Sequence, residues 1–433
     1  MPNNRFIIKG SHVIDPSQHL DDISNIYIEN GTVAGISAGE PNEGWETAEV
    51  IEAAGLYAVP GLVDIHVHFR DPGFTEKEDI FTGSQAAAAG GVTSVVCMPN
   101  TNPPASSPEV IQDILAKAAK ADCRVYPLAT ITKNMAGEEL NDFKSLLEAG
   151  AAGFSDDGRP VANARLMQDA MVCCQSLQVP IASHCEDLNI IGNGKMNLGA
   201  VSKELGVPGM DRTSEDSITA REIELAAGTG SSIHICHVST KGSVEILRDA
   251  KARGIKVTAE TAPHYFTLTD ELLRKRDADY RMNPPLRTEE DRIAVLEALR
   301  DGVIDVIATD HAPHTPAQKQ DFIQAPNGVV GLETSFGVCM TALVHTGVFS
   351  LYGLVERMST LPAKLMHLPA GTLKPGSAAD LMLFDPNEEW IVDPAKFRSK
   401  ARNSPFKGMT LKGKVKMTFL GGRIVFDDRN PVR

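Results

Sequence analysis

Histidines 66 and 68 stand two residues apart in Val63-Asp64-Ile65-His66-Val67-His68-Phe69-Arg70, at the end of an apolar run that reads as a strand. Residues i and i+2 of a strand project the same way, so both imidazoles can reach one metal ion. An isolated His-x-His pair also serves packing or hydrogen bonding; recurrence is what favours chemistry. Asp157 follows a later strand-like run, and His184, His237 and Asp310 each close another, so six side chains converge on one rim. All six offer nitrogen or oxygen. The set exceeds the four ligands of a structural zinc and lacks its thiolates, so it suits a hydrolytic centre with open positions. With two ions a bridging ligand is needed, and the pair would make hydroxide available at neutral pH. Asp157 can bridge through its two oxygens. Asp156 is the rival, since adjacent residues of an extended segment face opposite ways. Cys185 and Cys236, beside the ligand histidines, are expected to face the other way, into the core.

These residues need a scaffold that brings strand ends together. Eight apolar runs, 61–66, 92–98, 124–131, 152–155, 180–184, 232–237, 256–260 and 305–309, alternate with helix-like stretches. That pattern predicts parallel βαβ units and, at eight strands, a (β/α)8 TIM barrel, whose catalytic groups sit at the strand C-termini. Outside it lie short strands at 5–9, 25–29 and 33–36, with Asn30-Gly31 suited to a type I′ turn, and at 379–384 and 415–425, broken by Gly421-Gly422. Neither end alone has enough strands to be stable, so a small β-sandwich built from both chain ends is expected. The division is 1–58 and 369–433 for the two parts of the sandwich and 59–368 for the barrel.

The 433 residues are 42% hydrophobic and 23% charged, the composition of a globular enzyme with a large core. A net charge of -14 disfavours nucleic acid and anionic membranes, so an anionic small substrate needs local positive charge at the site. Seven cysteines without framework spacing read as buried free thiols of a reducing compartment. With no signal-like or membrane-length apolar run, the expectation is a cytoplasmic protein, with a homodimer as the default assembly.

Further segments carry a family resemblance across essentially the whole chain. They are Pro60-Gly61-Leu62-Val63-Asp64 running into His66-Val67-His68-Phe69-Arg70-Asp71-Pro72-Gly73, Met98-Pro99-Asn100-Thr101, Ser155-Asp156-Asp157-Gly158, Ser183-His184-Cys185-Glu186, His237-Val238-Ser239-Thr240, Met282-Asn283-Pro284-Pro285-Leu286-Arg287 and Ala308-Thr309-Asp310-His311-Ala312-Pro313-His314. On these the chain resembles the amidohydrolase superfamily, and within it the bacterial dihydroorotases related to the animal multifunctional enzyme. The resemblance implies that His66, His68 and Asp310 hold one zinc, that His184 and His237 hold a second, and that Asp157 bridges them. It also implies substrate contacts from His68, Arg70, Asn100, Asn283, His314, Asn327 and Gly328. An arginine fork suits a carboxylate, and an Asn side chain offers donor and acceptor to a ring amide. Asn100 and Asn283 equally suit turns before Pro103-Pro104 and Pro284-Pro285, and His314 a solvated loop.

Two segments depart from the pattern. Where many relatives bridge their metals with a carbamylated lysine, Phe154-Ser155-Asp156-Asp157-Gly158-Arg159 has none, which points to an aspartate bridge. Ala325 precedes Pro326-Asn327-Gly328 where the family commonly has Phe near the glycine, a change that backbone contacts to the ligand would tolerate. The implied reaction is zinc-dependent interconversion of L-dihydroorotate and N-carbamoyl-L-aspartate in de novo pyrimidine biosynthesis. Metal-bound hydroxide would attack the ring carbonyl, with Asp310 as proton shuttle. The polar segment 315–327 suits a mobile loop closing over substrate. A hydantoinase or allantoinase would use a lysine bridge and a different carboxylate clamp, a degenerate scaffold for a transcarbamoylase would have lost ligands, and a structural zinc protein would show thiolates.

Overall fold

The computed structural model describes residues 5–40 and 43–429; the ends of the expected sandwich segments, 1–4 and 430–433, and residues 41–42 lie outside the described residues. The eight barrel strands are Leu62–Val67, Val92–Cys97, Arg124–Pro127, Phe154–Ser155, Ile181–Ser183, Ile233–Ile235, Val257–Thr261 and Val306–Ile307. All pair in parallel. Single bridges, Ala129 to Phe154 and Val67 to His311, join the third strand to the fourth and the eighth to the first. Each expected run is therefore present. The runs at 152–155 and 305–309 shrink to the two-residue strands Phe154–Ser155 and Val306–Ile307.

Helices cover the outside, and their ends are written in the sequence. Asp79 accepts from the Thr82 amide at 2.8 Å while the Thr82 hydroxyl serves the Asp79 N–H, starting Ile80–Ala89 with a reciprocal cap. Thr240 caps Lys241–Ala252, and Thr288 with three acidic residues opens Glu289–Arg300. Inside, Val63, Ile65, Val96, Met98, Leu128, Ala182, Cys236, Val306 and Ala308 form one apolar cluster with Ala363 and Met366. The barrel is thus filled, and room for chemistry remains at the strand C-termini.

Both ends of the chain build one eight-stranded sheet. Its order runs Arg423–Asp427, Thr410–Leu420, Leu381–Ile391, Tyr57–Pro60, Arg5–Asp15, Leu20–Glu29 and Thr32–Ser37, with Glu49–Glu52 also pairing on Arg5–Asp15. Tyr57–Pro60 links the two ends: parallel to the first strand on one side, antiparallel to Leu381–Phe384 on the other. Ile8, Ile26, Ile28, Ala58, Leu381, Leu383 and Phe419 share its core. Burial of seven such side chains contributes on the order of 10 kcal/mol, which neither end could gather alone. Asn30 (φ 52°) and Gly31 (φ 81°) make the expected left-handed pair. A side chain at Gly31 would sit 2.8 Å from the Gly421 carbonyl oxygen, so the two turns legible at opposite ends of the sequence touch each other.

Candidate metal centre and substrate site

Ordinary strand alternation does not bring all six ligand-type residues inward. On the first strand Val63 and Ile65 face the barrel interior, and the pairing register then slips between Asp64 and Val67, so His66 and His68 also face in. On the sixth strand the interior positions are His234 and Cys236; His237 reaches the mouth because its backbone turns left-handed (φ 35°). Asp310 (φ 48°) and Arg70 (φ 60°) share that conformation. Each costs a non-glycine residue about 1 kcal/mol or more, and three such residues at one mouth mark strain held for a purpose.

Asp157 is the centre of the arrangement. Its Oδ1 lies 3.4 Å from His66 Nε2, 3.3 Å from His184 Nδ1 and 3.6 Å from His237 Nε2, and its Oδ2 is 3.5 Å from His68 Nε2. Asp310 Oδ1 is 3.1 Å from His68 Nε2 and 3.6 Å from His66 Nε2. His184 Nδ1 and His237 Nε2 face each other at 2.8 Å. Three ligand-like groups result, and two of them, His66–His68–Asp157 and Asp157–His184–His237, share Asp157; the third is His66–Cys236–Glu260. His66 Nε2 and Asp157 Oδ1 are buried without a hydrogen-bond partner. Buried polar atoms are rarely left so, and an all-N/O set of this kind fits divalent cations. Burial works against charge on Asp157, yet the charge of His66 and the close imidazoles of His184 and His237 hold its carboxyl well below the usual range. Asp156 faces away: its carboxylate accepts from the Ile131 and Thr132 amides and the Thr132 hydroxyl.

The remaining candidates surround this cluster. Asn100 Oδ1 is 2.9 Å from His68 Nδ1. With Phe74, Asp157, Gly158 and Arg159, Asn100 lines a cavity of about 440 Å³; two larger cavities, about 510 and 490 Å³, lie away from the cluster. Burial pushes the Arg70 guanidinium down to about 10 against the opposing pull of Asp310 and Asp157, so it stays charged at neutral pH. Asn283 Oδ1 is buried and unpartnered. His314 donates from Nε2 to the Asn327 carbonyl at 2.8 Å, and burial, then the Arg70 charge, bring its pKa down to about 2, so the ring is neutral. It is no solvated loop histidine. Gly328 (φ 141°) leaves no room for a side chain, whose first carbon would meet the Ala312 carbonyl at 2.7 Å and His314 at 2.9 Å.

Two family patterns match the chain, Dihydro-orotase-like over residues 55–243 and Amidohydrolase family over residues 167–426. Among curated relatives, the dihydroorotase of Geobacter metallireducens is 50% identical over 97% of this chain and 99% of its own, and that of Syntrophus aciditrophicus 47% identical over 98% and 100%. The chain belongs to the dihydroorotase family. Among solved structures, the L-hydantoinase (dihydropyrimidinase) of Arthrobacter aurescens superposes with a TM-score of 0.86 at 27% identity, covering 98% of this chain and 96% of the other.

For a dihydroorotase-family chain, three features were missed or misread in the sequence. Cys236 is buried but shares the barrel interior with His66 instead of facing outward, because His237 reaches the mouth by a backbone turn and not by alternation; Cys185 does pack outside the barrel wall. Six of the seven cysteines are buried, as expected, and Cys173 is exposed. Glu260 lies 2.5 Å from His66 Nδ1. Closing the seventh strand, it carried the same positional signal as the other strand-end residues. Lastly, segment 315–327 is wired from within. The buried Lys319 donates to the carbonyls of Arg281 (3.2 Å), Pro326 (3.1 Å) and Gly328 (3.0 Å). Arg281 in turn reaches the carbonyls of Phe322 and Ile323 and the side chain of Asn327.

Proposed function

We propose that this chain interconverts L-dihydroorotate and N-carbamoyl-L-aspartate as the dihydroorotase of de novo pyrimidine biosynthesis. The observation that carries the reading is Asp157 standing between two histidine pairs, with unpartnered buried ligand atoms and the charged Arg70 alongside. Kinship of about 50% to curated dihydroorotases supports the substrate.

In this reading His66, His68 and Asp310 would hold one zinc ion, His184 and His237 a second, and Asp157 both. When bound, such ions supply Lewis acidity, polarising the ring carbonyl and lowering the pKa of water. Asp310 takes the proton of the attacking water as the O–C bond forms and delivers it to the ring nitrogen as the C–N bond breaks; ring closure runs the same transfers backwards. Burial opposes charge on Asp310, but the neighbouring His68 and His66 hold its carboxyl below the usual range, so it is ionised. Arg70 binds the substrate carboxylate as a fork, offsetting the net negative protein. Asn100 and Asn283 orient the ring amide, and His68, His314, Asn327 and Gly328 complete the wall. We keep the division into 1–58, 59–368 and 369–433, although strand Tyr57–Pro60 straddles the first boundary. A cytoplasmic location, supported by the free thiols, and a homodimer as the default assembly are also our proposals; among the described residues no helix is long and apolar enough to cross a membrane.

The test is a substrate panel. Chelator-sensitive formation and loss of dihydroorotate, followed by ultraviolet absorbance, is expected to exceed turnover of hydantoin or allantoin by at least about 10²-fold. Faster hydantoin hydrolysis would overturn the assignment.

A further inference from the structure

His66 presents Nε2 to the cluster, so its other nitrogen decides how the ring is held. That nitrogen, Nδ1, contacts Glu260 Oε1 at 2.5 Å; Glu260 Oε2 is 3.2 Å from His234 Nε2, and His234 Nδ1 is 2.9 Å from the Thr258 hydroxyl. All three side chains of the His66–Glu260–His234 run are buried. The run descends inside the barrel from the mouth to the cavity of about 510 Å³ lined by His234, Thr258, Asp305 and Lys364. With Nε2 turned to the cluster, Nδ1 stands at hydrogen-bond distance from Glu260, and the contact is a hydrogen bond between the two side chains, although Cys236 lies near. Among the described residues no lysine or arginine pairs with Glu260: its hydrogen-bond partners are the two imidazoles, with the His237 amide at 3.4 Å. Burying a carboxylate is costly, and here only the two imidazoles and one distant amide offset it.

Two of the other cluster histidines have weaker outer partners. His68 Nδ1 meets the neutral Asn100 side chain, and His184 Nε2 stands 3.3 Å from Glu186 without hydrogen-bond geometry. We propose that Glu260, anchored from below by His234, is a positioning residue that fixes the tautomer and ring plane of His66 and thereby sets the cluster's affinity for its metal. A carboxylate on the far nitrogen keeps Nδ1 as donor, frees the Nε2 lone pair for the ion and makes that nitrogen more basic. The inference rests on the proposed ligand role of His66, and the experiment separates the two.

Full-length protein is stripped with chelator, and zinc affinity is measured by competition with a chromogenic chelator for wild type, Glu260→Gln, His66→Asn and the double variant. Metal-free melting of each shows whether it is folded. The expected result is that Glu260→Gln weakens zinc by about 10- to 100-fold in the wild-type background and causes no further loss once His66 is Asn, the non-additivity of a residue acting through another. A folded Glu260→Gln with wild-type affinity, or an equal loss in both backgrounds, would overturn the proposal while leaving the metal reading intact. If His66→Asn itself left zinc affinity unchanged, the metal reading would fail first. Should Glu260→Gln not fold, His234→Leu takes its place: it frees Oε2 and is expected to weaken zinc by about threefold to tenfold, and unchanged affinity there would equally overturn the proposal.

Discussion

On one side of the barrel mouth, His66, His68, Asp157, His184, His237 and Asp310 hang from strand ends, with Asp157 within 3.3–3.6 Å of four imidazoles. On the other side, His314, Asn327 and Gly328 belong to a long connection held by two buried cations, Lys319 and Arg281, that reach its carbonyls. The first side inherits its accuracy from the hydrogen-bonded barrel. The second has no ladder, so side chains supply the donors that a strand neighbour would otherwise supply. Substitutions on the strand side should therefore cost turnover and metal together, and substitutions on the loop side should change substrate affinity and local stability with metal content intact.

The sharpest test of that contrast removes the shared carboxylate. Asp157→Asn is expected to lower kcat by about 10⁴-fold, several kcal/mol of barrel-mouth electrostatics, and to lower the bound zinc measured by elemental analysis. Asp310→Asn should lose about 10³-fold in kcat through the missing proton acceptor. Full turnover in a metal-replete Asp310→Asn would show that proton transfer lies elsewhere. Arg70 also follows a strand end but is no ligand: Arg70→Lys keeps the charge but loses the fork, so KM for dihydroorotate should rise about tenfold with zinc content unchanged. A fall in metal content there would blur the division between the two sides.

The same division governed what could be read beforehand. The eight barrel strands, the two-ended sheet and the six strand-end residues were legible because periodicity and turn residues mark them locally. Asp157 over Asp156 was left open by alternation alone and is separated by position: Asp156 is bound to the Thr132 segment, while Asp157 meets the imidazoles. Glu260 stands at its strand's end as the other site residues do, so the same positional rule reaches it. The register slip at Asp64–Val67 and the left-handed turn at His237 were not legible, because each follows from how neighbouring strands close around the barrel. The network of Lys319, Arg281 and Asn403 was also out of reach: its partners are carbonyls, which no sequence pattern distinguishes, and Asn403 joins from 75 residues beyond Gly328.

That network yields the smallest expected effect and the most direct test of how the loop side is held. Lys319→Met takes one donor from each of three carbonyls, but Arg281 retains the Gly328 amide and Gly328 retains Asn403, both at 3.0 Å, so the loss falls mainly on Pro326 and is worth about 1–3 kcal/mol. Melting should fall by a few degrees and KM rise about threefold, with zinc content and kcat close to wild type. The pH dependence adds a sign. Burial brings the Lys319 ammonium down to about 7 in the folded chain, against about 10.4 for a free lysine. Between those values the unfolded chain binds a proton that the folded chain does not, so this group's contribution to stability rises with pH. Wild type should therefore gain on Lys319→Met as pH goes from 7 to 9, by at most about 1.4 kcal/mol per unit, in urea unfolding at the two pH values. A gap that stays constant would mean that the three carbonyls keep the ammonium charged throughout, and the loop would then be held by a fixed cation and not by a titrating one.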